Sequence, residues 1–210
     1  MTILTGFTSG VAKVNGVDIA FAKGGSGPAA WLLHGFPQTH AMWHQVAPVL
    51  ARHFTVIAPD LRGYGASSKP EGTGAYSFSN MARDQHALMG ELGFDDFHLV
   101  GHDRGGRVAH RLALNQPEAV RSLTVMDIIP THLLLDQLNR HVARAYYHWF
   151  FLAQPSPLPE KMISHDPDAF FESCLLGWGS AKLTDFAPAA LAAYRAAWRC
   201  PETIRGMCAD

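Results

Sequence analysis

The segment of this chain best suited to covalent chemistry is Gly101-His102-Asp103-Arg104-Gly105-Gly106. An apolar run at residues 97–100 (FHLV) precedes it, and a helical pattern at residues 107–115 follows. This is the G-x-nucleophile-x-G pattern of a strand-to-helix elbow, with aspartate at the nucleophile position. Glycine at the flanking positions lets the strand and helix backbones approach. The tight turn aims the carboxylate away from the chain, and the next N–H groups, at a helix start, favour a nearby anion. A carboxylate that attacks carbon leaves an ester, which suits displacement of a halide or opening of an epoxide. The competing role for Asp103 is to cap the following helix. The surrounding glycines and the upstream His34-Gly35 favour the elbow.

Two arginines stand next to that carboxylate. On a helix beginning at the elbow, Arg104 and Arg107 are spaced i, i+3 and share a face. Their guanidiniums can clamp a substrate carboxylate and offset the repulsion between two anions. The alternative for them is surface pairing, for instance with Glu118, or exposure to solvent.

The elements that must carry these groups alternate. Residues 10–22 read as a hairpin, and glycines at 24, 25 and 27 mark a turn. Apolar strands follow at 29–33 (AAWLL), 54–58 (FTVIA), 97–100 and 123–126 (LTVM). Helical patterns lie at 42–51, 78–92 (with Ser79 as N-cap) and 107–115. Strands apolar on both faces and alternating with helices predict an α/β fold, a mostly parallel sheet flanked by helices. In such sheets functional groups gather past the C-terminal strand ends, where His34-Gly35-Phe36, Asp103-Arg104 and Asp127 fall. Beyond Pro130 there is no further β-branched run. Residues 131–210 read as a helical insertion or lid on a sheet domain spanning 1–130.

Composition excludes several classes. Of 210 residues, 48% are hydrophobic and 17% charged, enough apolar material for a packed core and too much for disorder. Seventeen Lys+Arg against eighteen Asp+Glu leave a net charge of -1, so neither nucleic acid nor an anionic membrane is an expected partner. No apolar run approaches the ~20 residues needed to cross a bilayer, and the N-terminal residues do not read as a signal peptide. Cys174, Cys200 and Cys208 show no metal-ligand spacing, so reduced thiols in the cytoplasm are expected, with no metal and no cofactor.

The motifs HGFPQTHAMWHQVAP, DLRGYGASSKP, GHDRGGR and VMDIIPTH resemble those of the α/β-hydrolase superfamily, and within it the haloacetate (fluoroacetate) dehalogenases, over about residues 16–210. HGFP and DLRGYG mark only the superfamily, whereas Arg directly after the aspartate is more specific. The resemblance implies an α/β-hydrolase fold with a helical cap and a cofactor-free homodimer. The implied reaction is hydrolysis of a small halocarboxylate through an ester on Asp103. It gives Asp127 the role of orienting a catalytic histidine, and Phe36 and Arg104 that of oxyanion donors through their N–H groups. Arg104 and Arg107 become carboxylate ligands, His148 and Trp149 halide donors, and Trp178 a pocket wall. His34 is expected to hold its turn rather than act as a base. The family pattern also continues past residue 210, with two more strands, a tyrosine donor and the general-base histidine. The chain as given is therefore expected to be partial, with one sheet edge missing and at best a single turnover. The alternatives are an epoxide hydrolase of the same superfamily and a non-catalytic fragment.

Overall fold

The computed structural model describes residues 2–177 and 179–210. Strands β1 (Thr8–Val14) and β2 (Val17–Gly24) form the expected hairpin around an Asn15-Gly16 turn. They continue into a six-stranded sheet of order β1-β2-β4-β3-β5-β6, with β3 (Ala29–Leu33), β4 (Thr55–Pro59), β5 (Phe97–His102) and β6 (Val120–Met126). The pairings β4–β3, β3–β5 and β5–β6 are parallel, and only the β1–β2 and β2–β4 pairings are antiparallel.

Every residue of β3 and β4 is buried, because helices cover both faces. The strand period of two sends Ala29, Trp31 and Leu33 into the larger core cluster. Ala30 and Leu32 face a second cluster with Val56, Ala58 and Trp43. Strand β6 pairs only with β5 among the described residues, and its middle residues are exposed.

Two local expectations need correction. The helix expected at 42–51 is instead a 3-10 turn, His40–His44, followed by the single turn α1 (Ala47–Leu50). Pro48 has no N–H to donate, which prevents one continuous helix. Helix α2 (Phe78–Glu91) is capped by Ser77, whose hydroxyl accepts the Asn80 N–H; Ser79 already lies inside the helix. Helix α3 (Arg104–Asn115) begins directly at the elbow, as the shared face of Arg104 and Arg107 requires.

After β6 the chain is helical, as the loss of β-branched runs predicts: α4 (Thr131–Asp136), α5 (Arg140–Ala145), α6 (Tyr147–Leu152), α7 (Leu158–His165), α8 (Pro167–Leu176), α9 (Pro188–Trp198) and α10 (Pro201–Ala209). Proline opens α8, α9 and α10, where its missing N–H costs nothing. Phe171, Tyr194, Trp198, Ile204 and Met207 join the same core cluster as Trp31 and Leu33. The apolar residues of these helices are thus continuous with the core of the sheet, and α9 packs on the 3-10 turn His40–His44.

Candidate active site

The elbow between β5 and α3 places Asp103 at φ 46°, ψ -114°, a backbone conformation that side chains other than glycine seldom adopt. Close packing holds it there. A Cβ on Gly101 would lie 2.4 Å from the Gly105 carbonyl oxygen, and one on Gly105 would lie 2.4 Å from the carbonyl oxygens of Leu33 and His34. Both positions therefore require glycine. Although Asp103 occupies the N-cap position, its side chain makes no capping bond. Its Oδ1 instead accepts the Phe36 N–H at 2.8 Å, which settles the competing role against capping.

His34 is fully buried. Its Nε2 accepts the Leu61 N–H at 3.0 Å, so Nδ1 carries the proton and donates to the Gly35 carbonyl at 3.0 Å. Burial lowers its proton affinity below that of a free imidazole. The ring holds the turn that presents Phe36.

The two arginines part company. Arg107 Nη1 donates to the Thr131 hydroxyl at 2.5 Å and to the Ile129 carbonyl at 3.1 Å. Its guanidinium lies 4.6 Å over the Trp149 ring, and its buried Nε has no hydrogen-bond partner. Arg104 turns to the Asp210 carboxylate and lies 4.8 Å over the Phe78 ring. Glu118 pairs with neither.

Asp127 follows β6 at φ 54° and, with its side chain 80% exposed, lies 3.9 Å from His102 Nε2. It does not cap α4, which begins four residues later behind Pro130. His148 is sandwiched between Phe36 (centroids 6.1 Å apart, 10° between planes) and Tyr146 (6.2 Å, 24°). Burial outweighs the attraction of Asp103 and lowers its proton affinity, favouring the neutral ring.

Asp103, Arg104, Arg107, Asp127, Phe36, His148 and Trp149 all line one cavity of about 870 Å³. Trp178 lies outside the described residues. Sequence reasoning missed Asp210 and Thr131, which hold the arginines, and Tyr64, which donates to Asp210. No spacing rule links Arg104 to a residue 106 positions away. Among the described residues no group of three His, Cys, Asp or Glu side chains is placed to hold a metal ion, and no helix is long and apolar enough to cross a membrane.

A mostly parallel sheet with a strained, glycine-flanked turn presenting a side chain at its C-terminal edge defines an α/β hydrolase. The family described as the alpha/beta hydrolase fold matches residues 31–204. A fluoroacetate dehalogenase from Burkholderia sp is 55% identical over 208 residues, covering 98% of this chain and 68% of that protein. A soluble epoxide hydrolase from Corynebacterium sp. (strain C12) is 38% identical over 172 residues, 81% of this chain and 59% of that protein. In structure, ALR0039 from Nostoc sp PCC 7120 superimposes with a TM-score of 0.95 at 46% identity, covering 98% of this chain and 72% of that one. The chain belongs to the haloacetate dehalogenase family of α/β hydrolases.

Proposed function

We propose that this chain cleaves the carbon–halogen bond alpha to a carboxylate, with Asp103 as nucleophile. One observation carries the reading: Asp103 has Oδ1 pinned by the Phe36 N–H inside a cavity that also holds the guanidinium of Arg107. The other carboxylate oxygen attacks the substrate α-carbon, the carbon–halogen bond breaks, and halide leaves with the bonding pair. Arg107, with Arg104, holds the substrate carboxylate and aligns the carbon for in-line attack. The N–H groups of His148 and Trp149 solvate the departing halide, with Trp178 as a further pocket wall. Water then attacks the ester carbonyl, whose oxyanion takes the N–H groups of Phe36 and Arg104, and a 2-hydroxy acid departs. Asp127 takes the role of orienting the general-base histidine that the family resemblance implies, whose imidazole activates this water.

In this reading residues 131–210 act as a cap over a core of 1–130, since α6 and α8 contribute cavity walls opposite the elbow. We further take the protein to be a cytoplasmic homodimer. Three unbridged cysteines suit a reducing compartment, and the exposed Leu133, Leu135 and Leu138 suit an interface. The second reading, epoxide opening, is favoured by Tyr146 and Tyr147, cavity phenols able to protonate an epoxide oxygen. It leaves Arg107 without a carboxylate to hold.

Incubation with chloroacetate tests the reading. The 210-residue chain should release one equivalent of halide and retain a carboxymethyl ester that peptide mapping places on Asp103. Sustained turnover would assign the base role to a histidine within the chain, and in heavy-oxygen water would put the label in the Asp103 carboxylate. Neither halide nor adduct, or an adduct elsewhere, would sink the proposal.

A further inference from the structure

Arg104 directly follows Asp103 and lies close enough for that carboxylate to act on its guanidinium electrostatically. The structure holds it elsewhere. Arg104 Nε donates to Asp210 Oδ2 at 2.9 Å, and Nη2 donates to Asp210 Oδ1. The Asp210 carboxylate is 1% exposed and also accepts the hydroxyl of fully buried Tyr64 at 2.6 Å. Phe78 fixes the plane of the guanidinium from one face.

The approach that brings Asp210 there is built into the backbone. Helix α10 crosses the loop after β4 at Gly206, where a Cβ would lie 2.9 Å from Gly63 Cα. Glycine at this crossing lets the end of α10 settle between Tyr64 and Arg104.

We propose that Asp210 is a positioning residue for the Asp103 reaction: it outcompetes Asp103 for the Arg104 guanidinium and so keeps the nucleophile open. A guanidinium paired with Asp103 would stabilise the attacking carboxylate in the ground state and block the approach of carbon. With Arg104 anchored through Nε and Nη2, Asp103 keeps only the Phe36 N–H on Oδ1. Its Oδ2 carries no hydrogen bond among the described residues. Arg104 Nη1 is left to face a substrate carboxylate beside Arg107. The inference rests on the proposed role of Asp103.

The test compares the parent chain with Asp210→Asn, Asp210→Glu and Tyr64→Phe, following the first equivalent of halide from chloroacetate at increasing concentration. Acetate binding is titrated in parallel as a readout that needs no chemistry. Asp210→Asn should slow the first equivalent about tenfold or more, the scale of a misoriented reacting group. Its acetate affinity should weaken less than the rate falls, because Arg107 still holds the carboxylate while Arg104 turns to Asp103. Asp210→Glu should recover part of the rate. Tyr64→Phe, which keeps the ion pair, should show a smaller loss of the same kind and serves if the asparagine variant does not fold. A parental rate in either Asp210→Asn or Tyr64→Phe overturns the inference alone, as does a loss confined to acetate affinity. A parent that releases no halide overturns the inference together with the proposed reaction.

Discussion

The main-chain N–H of Phe36 donates to Asp103 Oδ1 at 2.8 Å, joining the turn after β3 to the elbow after β5 across 67 residues. This hydrogen bond gives the two carboxylate oxygens different work. Oδ1 is held, and in the proposed reaction the other oxygen would meet carbon. The same N–H would then lie beside the ester carbonyl, where its hydrogen bond would strengthen as negative charge develops.

Arg107 should govern recognition of the substrate's charge. Arg107→Leu is expected to raise the half-saturating chloroacetate concentration and lower the second-order rate of the first equivalent by about 2–4 kcal/mol of transition-state stabilisation, the scale of removing a charge-assisted hydrogen bond from a desolvated site. Chloroacetamide, which lacks the charge, should respond far less to the same substitution. Equal responses in steady-state or single-turnover kinetics would make the residue structural.

The elbow should tolerate no side chain at Gly105. The atoms a new Cβ would meet at 2.4 Å are main-chain carbonyl oxygens of Leu33 and His34, which cannot yield without moving β3. Gly105→Ala is expected to cost about 1–3 kcal/mol or more and to lower halide release by misaiming Asp103. Gly90→Ala, exposed near the end of α2, meets nothing within 4 Å and should instead stabilise by roughly 0.5–1 kcal/mol. Thermal denaturation of the two variants, side by side, checks both signs.

Stability should fall on the acid side of neutrality. The His34 Nε2 that accepts the Leu61 N–H cannot also carry a proton, and burial opposes the charge. The folded chain therefore binds fewer protons than the unfolded one below the free-imidazole range of about 6.5. Buried His148 acts with the same sign. The contribution is complete above that range and is lost as pH falls through it. The Tm should drop between pH 7.5 and 5.5, and a flat or rising Tm over that interval would contradict the assignment.

The chain should resist the alkylating character of its own proposed substrate. Cys174 and Cys208 line the cavity, yet burial pushes each thiol up to about 12, so almost no thiolate exists at neutral pH. Carboxymethylation at pH 7.5 should leave both unmodified while Asp103 reacts, and mapping after unfolding in denaturant should find both labelled. Labelling of either at the rate of Asp103 would show that burial does not protect it.

Much of this molecule is legible in local patterns. The strands follow from apolar runs, the hairpin from alternation around Asn15-Gly16, and the elbow from glycines at fixed offsets about Asp103. Each depends on neighbours within a few positions, which is the range over which backbone sterics and side-chain periodicity act. The fate of the arginines is of another kind. Their i, i+3 spacing places them on one face of α3, and nothing local says that one turns to Asp210 and the other to Thr131 and Trp149. Charge pairing depends on distance through space and on burial, and both arise only when α4, α6 and α10 pack over the sheet. The fold and the position of the candidate nucleophile can thus be read from the order of the residues. Which cation stands ready for substrate cannot, because that choice belongs to residues brought together from opposite ends of the α-helical region.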